Sequence, residues 1–159
     1  MQFHATLFRS VCRRLVPAIL LFLIPTVEAT AQGAETEWLG FTEALEKAAE
    51  EHKPLFVYVR APWCGPCYRM ETDVLPELGN RLRGFVKAKM DLSERPEPGS
   101  FADQRAFLWV RAEGLQTPPA FAVISPDGVT VVALRGFTQA GPLERTLRLA
   151  ERHIASSTP

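Results

Sequence analysis

The residues Leu55–Val59, Leu-Phe-Val-Tyr-Val, form a nearly all-apolar run that ends before Arg60. A strand with one face in water alternates polar and apolar side chains, whereas an uninterrupted apolar run must be covered on both faces, as in the centre of a parallel sheet. Helices packed on each side of a sheet supply that cover. The run therefore predicts an α/β fold built around a central strand over 55–59.

The spacing of the other apolar residues predicts the elements around this strand. The predicted helices cover 41–49, 66–75, 100–114 and about 142–154. The further predicted strands cover 85–90, 120–124 and 129–134. The last two strands are expected to form an antiparallel hairpin through the turn Ser125–Gly128, and Pro76 is expected to bend or interrupt the second helix. This order predicts a sheet with helices on both faces.

The first 31 residues have the order of a secretory signal peptide. Three arginines precede the apolar run Leu15–Val27, and an Ala-x-Ala segment that ends at Ala31 follows it. The run has 13 residues and two prolines, whereas a membrane span needs roughly 20 apolar residues. We therefore expect a leader over 1–31 and a mature domain over 32–159 that is periplasmic or otherwise exported. The alternatives are an uncleaved leader that tethers the chain to the membrane and an organelle transit peptide.

The charge of the chain gives no reason to expect nucleic acid as a partner. The whole sequence has 18 basic and 18 acidic residues, and removal of the leader leaves 15 and 17, a net charge of about −2. Binding to nucleic acid through its phosphates favours a clear excess of basic residues. The charge count therefore does not predict a nucleic-acid-binding protein.

The mature chain keeps two cysteines, Cys64 and Cys67, because Cys12 lies in the leader. Exported domains commonly use disulfides for stability. A disulfide between these two residues closes a loop of four residues, and so short a loop constrains the unfolded chain little. Stability is therefore a weak reason for the pair.

The pair lies between the predicted central strand and a helix whose first turn contains Pro66. Unpaired backbone N–H groups at a helix start favour negative charge, so the position favours the thiolate of Cys64, and the thiolate is the nucleophile. Cys64 would attack a disulfide of a partner, and Cys67 would then resolve the mixed disulfide. The spacing thus predicts a redox couple.

A metal site and an inert disulfide are the two alternatives for the pair. A structural zinc ion wants four ligands, commonly two such pairs or one pair with histidines. Beside the pair, the mature chain has His52 and His153, which lie far away in sequence on predicted helices. Those histidines are expected at the surface, and no metal ligand is assigned.

The motif Trp63–Cys67, Trp-Cys-Gly-Pro-Cys, after an apolar strand resembles the active-site motif of the thioredoxin family. Downstream, Leu115–Ile124 followed by Asp127-Gly128 resembles the cis-proline loop, strand and turn of that family, and Arg135–Phe137 resembles the glycine segment before its last helix. The resemblance covers about residues 37–154. It implies a thioredoxin fold, with a central mixed sheet of about four to five strands flanked by helices on both faces.

The resemblance also implies a role for each residue of the motif. Cys64 would be the catalytic nucleophile and Cys67 the resolving thiol. Gly65 and Pro66 would form the rigid spacer that shapes the helix start, and Trp63 would pack and dock partners. No organic cofactor is expected, because electrons pass between protein dithiols through the Cys64–Cys67 disulfide.

A substrate-binding loop is implied at Thr117 and Pro118. By the resemblance, the Thr117-Pro118 bond would be cis and would lie opposite Cys64, and the backbone beside Pro118 would pair with a bound substrate strand. A cis peptide bond is essentially a proline phenomenon, so the residue type permits this. A trans loop without a functional role is the alternative.

Three features depart from the family pattern. Tyr58 stands where thioredoxins usually have a buried aspartate that helps to move the proton of the second cysteine, and a tyrosine with an ordinary pKa near 10 cannot be assumed to replace it. Arg60 stands where an aromatic residue is common; it either points at the site and favours the Cys64 thiolate, or is a solvated strand end. The loop over 91–99 makes its region about ten residues longer than in a minimal thioredoxin. Trp109 on the next helix is expected to be either core or partner contact.

These observations predict an exported thiol-disulfide oxidoreductase that exchanges electrons with protein disulfides through Cys64 and Cys67. Gly-Pro between the cysteines favours a reductant by resemblance, and a reductant in an oxidising compartment needs a membrane or exported electron donor. The alternatives are a disulfide oxidase or isomerase of the same fold, and a non-enzymatic metal-binding or adaptor module. Protein thiols and disulfides are the expected partners, and the chain is expected to be a monomer.

Overall fold

The computed structural model describes residues 37–93 and 101–157, with side chains described from residue 104 onwards in the second range. The predicted leader over 1–31, most of the predicted loop over 91–99 and the start of the helix predicted at Ser100 lie outside the described residues. Within the described ranges, no helix is long and apolar enough to cross a membrane.

A five-stranded mixed sheet forms the centre of the domain, in the order β1-β3-β2-β4-β5. The strands are β1 Trp38–Leu39, β2 Leu55–Arg60, β3 Val86–Asp91, β4 Ala120–Ile124 and β5 Thr130–Arg135. β1, β3 and β2 run parallel, whereas β4 and β5 are antiparallel to their neighbours. All five residues Leu55–Val59 are fully buried, so the predicted central strand is confirmed.

The two faces of β2 belong to two hydrophobic cores. Phe56 and Tyr58 point into the first core, with residues of the helical region that follows the cysteines and of α6 Ala140–Ser157. Leu55, Val57 and Val59 point into the second, with residues of α1 Phe41–Glu50 and α5 Phe101–Ala112. Successive side chains of a strand point to opposite faces, so a run without polar residues is what two cores require. The predicted sheet with helices on both faces is confirmed.

The strand registers bring three chain segments to one edge of the sheet. Val59 pairs with Met90 on one side and with Ala120 on the other, and Ala120 pairs in turn with Arg135. The residues that follow β2, precede β4 and follow β5 therefore leave the sheet at the same edge.

The helical region after the cysteines consists of four short segments, whereas the sequence predicts one helix over 66–75. α2 Gly65–Arg69 continues as a π-helical segment, Met70–Val74, which leads into α3 Leu75–Glu77 and α4 Gly79–Leu82. Pro76 lies in the first turn of α3 and does not end the helical region, because a proline there lacks only an N–H group that would have no partner. π-Helical turns frequently occur at functional sites.

Two elements differ from the predictions at the edges of the sheet. The sequence predicts no strand at β1, because two residues are too few to show a periodic pattern. β5 begins at Thr130, which pairs with Ile124 across a β-bulge, so Val129 belongs to the turn. In that turn Gly128 has a φ of 85°, a conformation that glycine adopts without steric cost.

Trp109 is part of the core packing between elements. Its ring stacks on Phe41 with centroids 4.7 Å apart, and its Nε1 donates a hydrogen bond to Thr130 Oγ1 at 3.3 Å. Trp109 thus connects α5 with α1 and β5. Of its two predicted roles, core residue and partner contact, the structure supports the core residue.

Two leucines of α6 provide a matched test of the first core. Leu147 is fully buried, whereas Leu149 is 58% exposed. Leu147→Ala should lower the free energy of unfolding by about 2–5 kcal/mol, because it removes buried methyl groups and leaves a cavity. Leu149→Ala changes helix propensity equally and should cost about 0.5 kcal/mol or less. Urea unfolding of the oxidised variants measures both values, and equal losses would contradict the assignment of Leu147 to the core.

Candidate active site

Cys64 lies directly beyond the edge of the sheet where β2 ends. The backbone N–H of Cys64 donates to the carbonyl of Ala61 at 3.1 Å, which closes a tight turn after the strand. Cys64 is the N-cap of α2, and Pro66 occupies the first turn of that helix. Cys64 and Cys67 form a disulfide with their Cα atoms 5.2 Å apart.

The two sulfurs have different surroundings. Cys64 is 8% exposed and Cys67 is 1% exposed, so Cys64 is the more accessible to a partner. The backbone N–H of Cys67 donates to Cys64 Sγ at 3.1 Å. A hydrogen bond to the charged form favours that form, so this contact would favour a Cys64 thiolate in the reduced protein.

The surface around Cys64 is apolar and open. Trp63 is 68% exposed, and Gly65 and Pro66 are also exposed beside it. The structure therefore leaves Trp63 available for contact with a partner, whereas the packing role expected for it has no support from its burial.

The cis peptide bond lies at Pro118-Pro119 and not at Thr117-Pro118 as predicted. Both bonds precede a proline, so both permit the cis form and the sequence alone does not decide between them. Tertiary contacts decide, because Pro119 is buried and its carbonyl accepts the N–H of Gly136 at 2.8 Å. Thr117 is exposed and Pro118 half-buried in the loop before β4, so both remain accessible. Their role in substrate binding stays a prediction.

Tyr58 lies beneath the pair in the first core. It is fully buried, its ring stacks on Phe121 with centroids 5.4 Å apart, and its hydroxyl donates to the carbonyl of Cys67 at 3.3 Å. Burial, reinforced by the charge of Glu71, raises the pKa of Tyr58 well above its ordinary value. Tyr58 therefore stays protonated at neutral pH, so it supports the turn that carries Cys67 and does not serve as a base.

Arg60 fits neither of the two predicted arrangements, because two carboxylates hold its charge. Its Nε lies 2.8 Å from Glu71 Oε1, an ion pair without the alignment of a hydrogen bond, and its Nη1 donates to Asp91 Oδ2 at 2.7 Å. Burial alone would raise the pKa of Asp91, but hydrogen bonds from Ser93 and the charge of Arg60 hold the pKa below its ordinary value. The pairing weakens any net effect of Arg60 on a Cys64 thiolate. Sequence reasoning missed Glu71 and Asp91, since no motif connects them.

The histidines lie away from the cysteine pair. His52 follows α1 in a turn with a φ of 52°, and His153 is exposed on α6. Both line a groove with Pro54 and Ser125, which precede β2 and follow β4, so the groove lies at the opposite edge of the sheet. Among the side chains described, no group of three or more His, Cys, Asp and Glu residues is arranged to hold a metal ion.

Comparisons with known proteins agree with this geometry. A family model described as a thioredoxin-like domain matches residues 41–151. The chain is 30% identical over 115 residues to an H-type thioredoxin of Chlamydomonas reinhardtii, a match that covers 70% of this chain and 85% of that protein.

Solved structures show the same fold. The solution structure of a thioredoxin from Thermus thermophilus matches with a TM-score of 0.63 at 21% identity and covers 76% of this chain and 90% of that one. The reduced C-terminal domain of DsbD from Neisseria meningitidis matches with a TM-score of 0.55 at 24% identity and covers 68% of this chain and 91% of that domain. The predicted thioredoxin fold is confirmed.

The two tyrosines provide a matched test of the support beneath the pair. Tyr58→Phe removes the donor to the Cys67 carbonyl and should lower the free energy of unfolding at neutral pH by about 0.5–1.5 kcal/mol. Above about pH 10, unfolded chains release the tyrosine proton that the folded protein retains, so wild-type stability falls as pH rises, by up to about 1.4 kcal/mol per pH unit for this group. Tyr58→Phe has no such proton to release, so its free energy of unfolding should approach that of the wild type above about pH 10.

The measurement is urea unfolding of the oxidised proteins between neutral pH and pH values above about 10. Tyr68→Phe is the control, because Tyr68 is 70% exposed and its replacement should leave the free energy of unfolding at neutral pH unchanged. Parallel pH profiles for wild type and Tyr58→Phe would contradict the buried, hydrogen-bonded state of Tyr58.

Proposed function

Because the chain belongs to the thioredoxin-like family, we propose that it is an exported thiol-disulfide oxidoreductase that reduces protein disulfides. One observation gives the main support for thiol-disulfide exchange as the general activity. The Cys64–Cys67 disulfide lies at a helix start, with the more exposed sulfur accepting a backbone hydrogen bond. That arrangement supports a role for Cys64 as the nucleophile and for Cys67 as the thiol that resolves the mixed disulfide.

The exchange takes place in two displacement steps. In the reduced protein the Cys64 thiolate attacks one sulfur of a partner disulfide, which forms a Cys64–partner disulfide and releases the other partner sulfur as a thiolate. Cys67 then loses its proton and attacks Cys64 Sγ, which releases the second partner thiolate and leaves the Cys64–Cys67 disulfide. The partner gains two electrons, and the protein loses two. Tyr58 holds its own proton, so the proton of Cys67 goes to another acceptor.

A partner can reach Cys64 from the edge of the sheet where the loop before β4 also lies. Thr117 and Pro118 belong to that loop, and β4 begins at Ala120, which pairs with Val59 just before the site. An extended partner segment beside Thr117 and Pro118 would form backbone hydrogen bonds, as edge strands do. Trp63 would contact the same segment, and Gly65-Pro66 would hold the start of the helix.

Export is proposed from the order of residues in the leader. Basic residues, an apolar run too short for an ordinary span and Ala-x-Ala are the features of a cleaved signal peptide. In an oxidising compartment a reductant becomes oxidised, so the proposal requires a membrane or exported donor that reduces the Cys64–Cys67 disulfide. The exported domain acts as a monomer in this proposal, because one chain supplies both sulfurs.

The first test is capture of the exchange intermediate. Cys67→Ser should form a stable mixed disulfide with partner proteins in the exported fraction, because no second thiol can resolve it. The measurement is a dithiothreitol-sensitive band of higher mass, and the chain released from it should begin at Gln32. Cys64→Ser should give no such band. A band that persists in Cys64→Ser, or no trapped partner in that fraction, would contradict the proposed exchange, while a chain that keeps residues 1–31 would contradict the cleaved leader alone.

The second test is the direction of transfer. Equilibration with defined thiol-disulfide buffers, followed by alkylation and mass measurement, gives the midpoint of the Cys64–Cys67 couple. Gly-Pro between the cysteines predicts a two-electron transition near about −270 mV, the thioredoxin value. A midpoint near about −120 mV would make the protein an oxidase. The Cys64→Ser/Cys67→Ser variant should show no transition, which establishes that the signal belongs to this pair.

A further inference from the structure

One arginine near Cys64 has no carboxylate that offsets its charge within the described chain. Arg69 lies at the end of α2 and is exposed, and its guanidinium carbon is 4.6 Å from the ring centroid of Phe137. The ion pairs among the described residues do not include Arg69. Asp73, one turn further, accepts instead from Thr72 Oγ1 at 2.8 Å. The positive charge of Arg69 is therefore available to a partner.

The contact of Arg69 with Phe137 joins two sides of the active-site edge. Arg69 follows Cys67 by two residues, whereas Phe137 follows Gly136, whose N–H donates to the carbonyl of Pro119. Gly136 has a φ of 87°, which turns the chain after β5. The two side chains thus meet where the helix of the cysteine pair faces the loop after the last strand.

Three exposed aromatic residues belong to the same segments of the chain as this contact. Trp63 is 68% exposed, Tyr68 is 70% exposed and Phe137 is 38% exposed. Large aromatic side chains with this exposure are enriched where proteins bind one another. The surface offers a partner apolar contact area together with one cation.

Arg60 differs from Arg69 because its charge is already paired with carboxylates of the same chain. Arg60 precedes Cys64 by four residues in sequence, but Glu71 and Asp91 bind its guanidinium. A partner carboxylate would have to displace those contacts to reach Arg60, whereas Arg69 rests on a ring and keeps its N–H donors accessible. A stacked guanidinium also has fewer conformations to lose on binding, so more of the ion-pair energy remains.

We propose that Arg69, held on Phe137, selects partner segments that carry an aspartate or glutamate beside the cysteine that Cys64 attacks. The inference rests on the proposed function, because it concerns the substrates of the same exchange. A guanidinium forms two parallel hydrogen bonds with a carboxylate, which gives geometric preference as well as attraction. An extended segment that passes Trp63 would bring a flanking side chain toward Arg69.

The test compares two peptides that differ by one charge. Each peptide contains one cysteine in a mixed disulfide with nitrothiobenzoate, and a Glu or a Gln stands beside that cysteine. In the Cys67→Ser protein, the Cys64 thiolate attacks the peptide sulfur, a Cys64–peptide disulfide forms, and the nitrothiobenzoate thiolate leaves and is followed by its absorbance. The ratio of the two rate constants cancels any change in the intrinsic reactivity of Cys64.

The Glu peptide should react about two- to five-fold faster than the Gln peptide at low ionic strength, the range of an exposed ion pair. Added salt should reduce the ratio, because it screens exposed charges. Arg69→Gln in the Cys67→Ser background should bring the ratio to about one. Arg152→Gln is the control, since it removes another exposed positive charge, near the C-terminal end of α6, and it should leave the ratio unchanged.

The outcomes separate this inference from the proposed function. Equal rates for the two peptides with Arg69 present, or a ratio that survives Arg69→Gln, would overturn the selectivity of Arg69 while the exchange itself stands. No reaction of Cys64 with either peptide would overturn the exchange and the inference together.

Discussion

Burial of β2 on both faces is the constraint on which the rest of the structure depends. Its five residues from Leu55 to Val59 are fully buried, and burial of an aliphatic or aromatic side chain of this size contributes about 1.5–3 kcal/mol. Two helical layers are needed to cover both faces, so the strand determines the layered architecture. The strand also carries the chain to Cys64, so the same burial that stabilises the fold holds the start of the candidate active site.

The site depends on the sheet through the register of three strands. Val59, Ala120 and Arg135 align across the sheet. The turn that contains Cys64, the loop that contains Pro118 and the turn at Gly136 therefore meet at one edge of the sheet. Ligand sites of open α/β sheets commonly lie beyond the ends of their strands. Here the sheet is mixed, and the antiparallel β4 contributes the start of a strand to that edge. The pairing of β2 with β4 thus brings segments more than fifty residues apart in sequence into one site.

A backbone N–H group contacts the sulfur of Cys64, whereas the groups beneath and beside the cysteines are neutral or paired. Tyr58 occupies the floor of the site as a neutral hydrogen-bond donor, since burial raises its pKa. Arg60 is bound by Glu71 and Asp91, so its charge is largely offset. The N–H of Cys67 contacts Cys64 Sγ directly and would favour its thiolate in the reduced protein. In the proposed exchange, the turn that holds this N–H donor would help to tune Cys64, and the buried hydroxyl of Tyr58 supports that turn.

Local patterns in the sequence determined the elements and the motif, whereas packing decided the contacts. The apolar run over 55–59, the helical spacing of α1 and the turn at Gly128 are visible in the sequence because each depends on neighbours a few residues away. The cysteine pair is visible for the same reason. The cis bond at Pro119 and the partners of Arg60 are not visible, because they depend on segments far apart in the chain. A sequence pattern records what each residue requires of its environment, and only the tertiary structure decides which distant residue supplies it.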